Sequence, residues 1–120
     1  MRMGSETEFG IAHGWALDKA QTVLNRLITT QPCLPAVKGG FFLPNGARVY
    51  VDQGKQNEYA TPEVESPDAL VAHELAGRQL VEKAAADCKL ILLCSNVDPC
   101  YGSTWGTHEN YECCRAPSSL

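Results

Sequence analysis

The sequence predicts an α+β fold, an antiparallel sheet with two helices on one face. Short alternating segments are interleaved with two apolar stripes at helical spacing, and Pro44-Asn45-Gly46 is a turn of the kind that joins antiparallel strands. No Pro-, Gly- or Ser-rich linker divides the 120 residues and no segment repeats, so residues 1–120 read as a single domain.

The opening segment around Ser5–Ala12 alternates, with Glu6 and Glu8 on one side and Thr7 and Phe9 on the other. Ionised carboxylates do not bury in an apolar core, so that side must meet water, a cation or a basic partner. A helix is expected from about Ala16 to Thr29. Its stripe is Ala20, Val23, Leu24, Leu27 and Ile28, and Pro32 and Pro35 end it. Phe41–Leu43 predicts a short strand, and Ala47–Asp52 the next. The second alternates Arg48, Tyr50 and Asp52 against Ala47, Val49 and Val51.

A glycine-bearing turn after Asp52 and then a carboxylate-rich loop carrying Glu58 and Glu63 are expected before Ser66. Ser66 as N-cap, Pro67 at the first helical position and Asp68 in the first turn open a second helix, which ends near Ala86. Its expected buried stripe is Leu70, Val71, Leu75, Leu80 and Val81. Lys89–Ser95 reads as a buried strand, Asn96–Gly106 as a polar turn region, and Trp105–Tyr111 as a final strand with His108 and Asn110 on one face. The polar faces of these strands should converge on one open sheet surface carrying Glu6, Glu8, Arg48, Tyr50, Asp52 and His108.

Charge narrows the partners. At a net charge of −4, with its ten Lys and Arg scattered, the chain lacks the basic cluster a nucleic-acid surface needs. The longest apolar run, Leu90–Cys94, is far too short to cross a bilayer, and the charged N-terminus lacks the apolar core of a signal peptide; the default expectation is the cytoplasm. The six cysteines form no CxxC pair, and Cys94, Cys100, His108 and Cys113 match no regular zinc spacing. Free, mostly buried thiols are expected instead.

Glu6, Glu8, Glu58, Glu63 and the Tyr50 oxygen are donors of the type Mg2+ takes alongside phosphate. Arg48 offers a planar fork suited to phosphate, and Asp52 could accept a proton from an amine or attack a carbonyl. The same residues also allow a plain solvated sheet face, with Arg48 paired to a carboxylate.

Three blocks, MGSETEFGI, NGARVYVDQGKQNEYATPE and YGSTWGTHENY, resemble the Pup–protein ligase and Pup deamidase/depupylase family, the proteasome accessory factor A type. Pup is the small prokaryotic ubiquitin-like modifier, and the family shares its core with glutamine synthetase and the glutamate–cysteine ligases. The resemblance implies the N-terminal portion of a glutamine synthetase-like catalytic domain that uses ATP and Mg2+. Glu6, Tyr50 and Glu58 match magnesium ligands, with Glu8 in the same block as Glu6. Arg48 and Thr61 match positions that contact ATP. Asp52 matches the essential aspartate, a general base in the ligase and the proposed nucleophile in the depupylase.

The implied reaction joins the C-terminal glutamate of a Pup-like modifier to lysines of target proteins by an isopeptide bond. ATP phosphorylates the glutamate side chain, and the lysine amine displaces the phosphate. The short interval between the first two blocks resembles the ligase branch rather than the depupylase. Ser5 stands where the family commonly has an aliphatic residue. Family members are several times longer, so the expectation is an incomplete catalytic domain lacking a C-terminal portion or a partner chain. A non-catalytic remnant serving as a binding or regulatory module is the alternative.

Overall fold

A computed structural model of the chain describes residues 1–12, 17–97, 102 and 104–113. The elements follow the order β1 (Met3–Ile11), α1 (Leu17–Thr30), β2 (Leu34–Pro35), β3 (Phe41–Phe42), β4 (Arg48–Val51), β5 (Asn57–Ala60), α2 (Pro67–Asp87), β6 (Leu92–Leu93) and β7 (Thr107–Tyr111). All strands pair antiparallel, in the order β2-β3-β4-β5-β1, and β6 and β7 share the far edge of β1. The two helices pack on each other and both lie against β5, with α1 also on β4 and α2 also on β1. They therefore cover one face of the sheet and leave the other open, as the sequence predicts. No helix among the described residues is long and apolar enough to cross a membrane.

Alternation sets which side chains reach the core. Phe9 of β1, Val49 of β4 and Tyr59 of β5 point to the helices, where they meet Val23, Leu24 and Leu27 of α1 and Val81, Ala84 and Ala85 of α2. Burying each of the larger apolar side chains contributes roughly 1.5–3 kcal/mol, which anchors both helices to the sheet. The expected α1 stripe is the observed one, with Ile28 packed at its margin; Ala16, where that helix was expected to start, lies outside the described residues. Helix α2 begins as expected: the Ser66 hydroxyl accepts the Ala69 N–H at 3.2 Å, and Pro67 opens the helix.

Four expectations need correcting. The stripe of α2 runs through Leu70, Gly77, Val81, Ala84 and Ala85, while Val71 and Leu75 are 52% and 53% exposed. Small residues allow the close approach: a Cβ at Gly77 would overlap the Tyr59 ring. Second, the segment after the glycine-bearing turn is no loop. Asp52–Gln56 closes a hairpin turn, with the Asp52 N–H donating to the Gln56 carbonyl at 3.0 Å, and β5 follows as a central strand between β4 and β1. Third, of Lys89–Ser95 only Leu92 and Leu93 pair, with Ile11 and Gly10, and both are half-buried. Fourth, the described thiols are not mostly buried. Cys33 and Cys88 are half-buried and Cys94 and Cys113 exposed, all four free; Cys100, Cys114 and the RAPSSL tail lie outside the described residues.

Candidate functional site

The register of the sheet builds the site. Glu8 of β1, Glu58 of β5 and Tyr50 of β4 stand directly opposite one another across three neighbouring strands. One row along, His108, Glu6, Ala60 and Arg48 align in the same way, and Phe42 of β3 extends the row. Since side chains alternate between faces, these residues share the face opposite the helices. Asp52, one residue past β4, turns its carboxylate into the same group.

Three carboxylates come closest. One oxygen each from Glu8, Asp52 and Glu58 lie within 4.8 Å of one another, the spacing of donors around a common cation. Each is held by a different local device. Glu8 Oε2 accepts the Gly106 N–H at 2.9 Å, and Asp52 Oδ1 accepts the Gln56 N–H at 2.8 Å. Glu58 Oε1 accepts the Tyr50 hydroxyl at 2.5 Å. Glu58 is only 6% exposed. Burial pushes its carboxyl pKa up; the Tyr50 hydrogen bond opposes this, while the negative charges of Glu6, Glu8 and Asp52 add to it. The Tyr50 phenol is likewise pushed up, first by burial and then by the bond to Glu58. Among the described residues, no Lys or Arg forms an ion pair with Glu8, Asp52 or Glu58. A half-buried anionic cluster of this kind favours a cation that enters it.

The remaining predicted residues lie around the triad. The Glu6 carboxylate is outside it, 3.9 Å from His108 Nδ1, but near enough to act electrostatically on both Tyr50 and Glu58. Among the described residues Arg48 forms no carboxylate pair. Its guanidinium lies 4.3 Å from the centroid of the Tyr50 ring and donates to the backbone carbonyls of Lys38 and Gly39. Thr61 Oγ1 accepts the Ser5 N–H at 3.0 Å. A cleft of about 630 Å³ is lined by Gly4, Glu6, Ala60, Thr61 and Asn110 among others; Glu6 belongs to it, and none of the three triad carboxylates does. Arg2 bridges Glu63 at 3.2 Å and Glu112 at 3.3 Å on the same cleft. Glu63 is thus ion-paired away from the triad.

Sequence reasoning missed the backbone groups that aim the side chains, the Gly106 amide and the Lys38 and Gly39 carbonyls. It also missed Arg2. Gly40 of the Gly39-Gly40 pair was a signal in the sequence for a close backbone approach there, and a Cβ at that position would collide with β4.

A carboxylate-bearing sheet face backed by two helices is the arrangement of glutamine synthetase-like ligase domains, the class expected from the sequence. The Pup-ligase protein family model matches residues 19–119. The Pup–protein ligase of Mycolicibacterium vanbaalenii is 34% identical, covering 95% of this chain and 28% of the relative. That of Acidimicrobium ferrooxidans is 44% identical over 81 residues, 58% of this chain and 18% of the relative. Among solved structures, the complex between the prokaryotic ubiquitin-like protein Pup and its ligase PafA superposes with a TM-score of 0.69 at 27% identity. That match covers 90% of this chain and 24% of the solved one. The chain belongs to the Pup ligase family, and it spans less than a third of the length of these relatives.

Proposed function

We propose that this chain carries the cation- and nucleotide-binding part of an ATP- and Mg2+-dependent ligase. The ligase joins the C-terminal glutamate of a Pup-like modifier to lysines of target proteins. The observation that supports this most directly is the triad of Glu8, Asp52 and Glu58, with oxygens within 4.8 Å and no Lys or Arg among the described residues ion-paired to them. Hard oxygen donors with unbalanced charge suit Mg2+.

In this reading Glu6, Glu8, Glu58 and the Tyr50 oxygen hold the cation, the cleft lined by Glu6 and Thr61 receives ATP, and Arg48 contacts the nucleotide from outside that lining. Bound Mg2+ supplies charge compensation on the phosphates during phosphoryl transfer. Asp52 accepts the proton from the attacking lysine amine, a role open to it because its second carboxylate oxygen is left over from the Gln56 contact. The buried Glu58 and its Tyr50 partner keep the donor set rigid, which limits the reorganisation needed when charge enters.

Calorimetric titration of the chain with ATP in Mg2+ tests the reading. Binding should require Mg2+ and be lost in Glu58→Ala. A wild-type chain that binds no nucleotide with Mg2+ present would instead identify a binding or regulatory module that kept the fold without the chemistry.

A further inference from the structure

We infer that Arg48 is a positioning residue, clamping the turn between β2 and β3 onto Tyr50 and thereby fixing the Tyr50 hydroxyl on Glu58. The turn is closed by Gly39 N–H to Ala36 C=O at 3.0 Å and Ala36 N–H to Gly40 C=O at 2.9 Å. Gly39 and Gly40 both adopt left-handed backbone, at φ 87° and 74°. Gly40 passes so close to β4 that a Cβ there would collide with the Val49 carbonyl oxygen and the Tyr50 Cβ. Arg48 reaches over the Tyr50 ring and holds the turn by its carbonyls. Nη2 donates to Gly39 at 2.6 Å and to Lys38 at 3.1 Å, and Nε donates to Gly39 at 3.1 Å.

The Tyr50 ring is therefore enclosed on two sides, by the guanidinium above it and by the Gly40 backbone at its root. The hydroxyl at its far end points along the sheet and donates to Glu58. Lysine could not substitute. A single ammonium neither stacks flat on the ring nor spans two carbonyls with a planar fork.

The clamp makes a prediction of opposite sign to simple electrostatics. A guanidinium on the carboxylate face repels an incoming cation, so by Coulomb's law its removal should tighten cation binding. If Arg48 acts by holding Tyr50, its removal should weaken binding, because the phenol and Glu58 lose their fixed geometry. The cation arm rests on the proposed function above; the holding of the turn does not.

Amide hydrogen exchange and Mn2+ calorimetry without nucleotide test this on wild type, Arg48→Ala, Arg48→Lys and Gly40→Ala. In Arg48→Ala the Ala36 and Gly39 amides should exchange about tenfold faster, the loss of a charge-assisted hydrogen bond, and Mn2+ affinity should fall about fivefold. Arg48→Lys, which keeps the charge, should show most of both effects and replaces the alanine variant if that does not fold. Gly40→Ala, which keeps Arg48 but lifts the turn, should weaken Mn2+ in the same direction. Unchanged exchange in a folded Arg48 variant overturns the clamp, and equal or tighter Mn2+ binding in Arg48→Ala overturns the positioning of Tyr50. A wild-type chain that binds no Mn2+ overturns the cation reading of the site, while exchange still decides the clamp.

Discussion

Replacing Glu58 by glutamine separates what the carboxylate costs the fold from what it gives the site. In the chain without cation, Glu58 is buried and its charge lies within 4.8 Å of ligand oxygens on Glu8 and Asp52. At that separation a pair of like charges repels by roughly 3 kcal/mol at an effective dielectric of about 20, and by about 1 kcal/mol in water. Glu8 and Asp52 are half-buried, so the real cost falls between these limits. Glutamine removes it and keeps the shape, but turns a charge-assisted bond from Tyr50 into a neutral one, a loss of about 1 kcal/mol. Two such pairs are relieved, so the expected net effect at pH 7.5 is a stabilisation of roughly 1–5 kcal/mol, toward the lower end because both partners are half-buried, and a rise in Tm of at least about 4 °C.

The pH dependence follows from the raised carboxyl pKa of Glu58. A group that binds its proton more tightly in the folded chain than in the unfolded one destabilises the fold fully above its folded pKa. That penalty disappears as the pH falls below the ordinary carboxylate value. The advantage of Glu58→Gln should therefore shrink to nothing between neutral pH and about pH 4. Under the proposed function, Mg2+ should raise the midpoint of wild type and leave the variant unmoved. Urea unfolding at both pH values, with and without Mg2+, reads all of this. A variant less stable than wild type at pH 7.5, or one stabilised by Mg2+ to the same degree, would refute the reasoning.

Gly77→Ala places a methyl into the Tyr59 ring, and the overlap should outweigh the better helix propensity of alanine, lowering stability by about 1–3 kcal/mol in thermal unfolding. Ser5 is 2% exposed and its hydroxyl oxygen has no hydrogen-bond partner among the described residues. Ser5→Ala should therefore raise stability by about 1 kcal/mol, and a loss of that size would show that the hydroxyl is satisfied in solution. Asn57 is 3% exposed on the core side of β5 and donates to the Ala20 carbonyl of α1 at 2.9 Å. Asn57→Ala should cost about 2 kcal/mol in urea unfolding and speed amide exchange in the first turns of α1.

The parts of the fold that were legible are those where one residue type dominates one face. Glu6 and Glu8 against Thr7 and Phe9, and Arg48 and Tyr50 against Val49, announce strands with an open polar side. The leucines of α1 announce its buried stripe. What escaped was the contribution of small residues and of turns. In α2 the burial passes through Gly77, Ala84 and Ala85, which carry little hydrophobicity, so Val71 and Leu75 drew attention to the wrong face. Strand β5 is only four residues long and buries an asparagine, so its period is hard to see; it is fixed by the hairpin turn before it and by partners on both sides. For the site, alternation on two strands brought most of the candidates to one face. It could not show that the turn after β4 swings Asp52 next to Glu8, while Glu6 sits toward the cleft.

Strand β1 pairs along one edge with residues 57–60 and along the other with 92–93 and 107–111. Strand β1 precedes all its partners in chain order and is therefore the last strand to be enclosed, since Met3 waits for Tyr111. Such distant pairing makes for slow folding, and until it is complete the nascent strand keeps an open edge that another chain can join. Production at low temperature, or with a chaperone that shields extended segments, should raise the yield of monomer far more than any substitution on the helices.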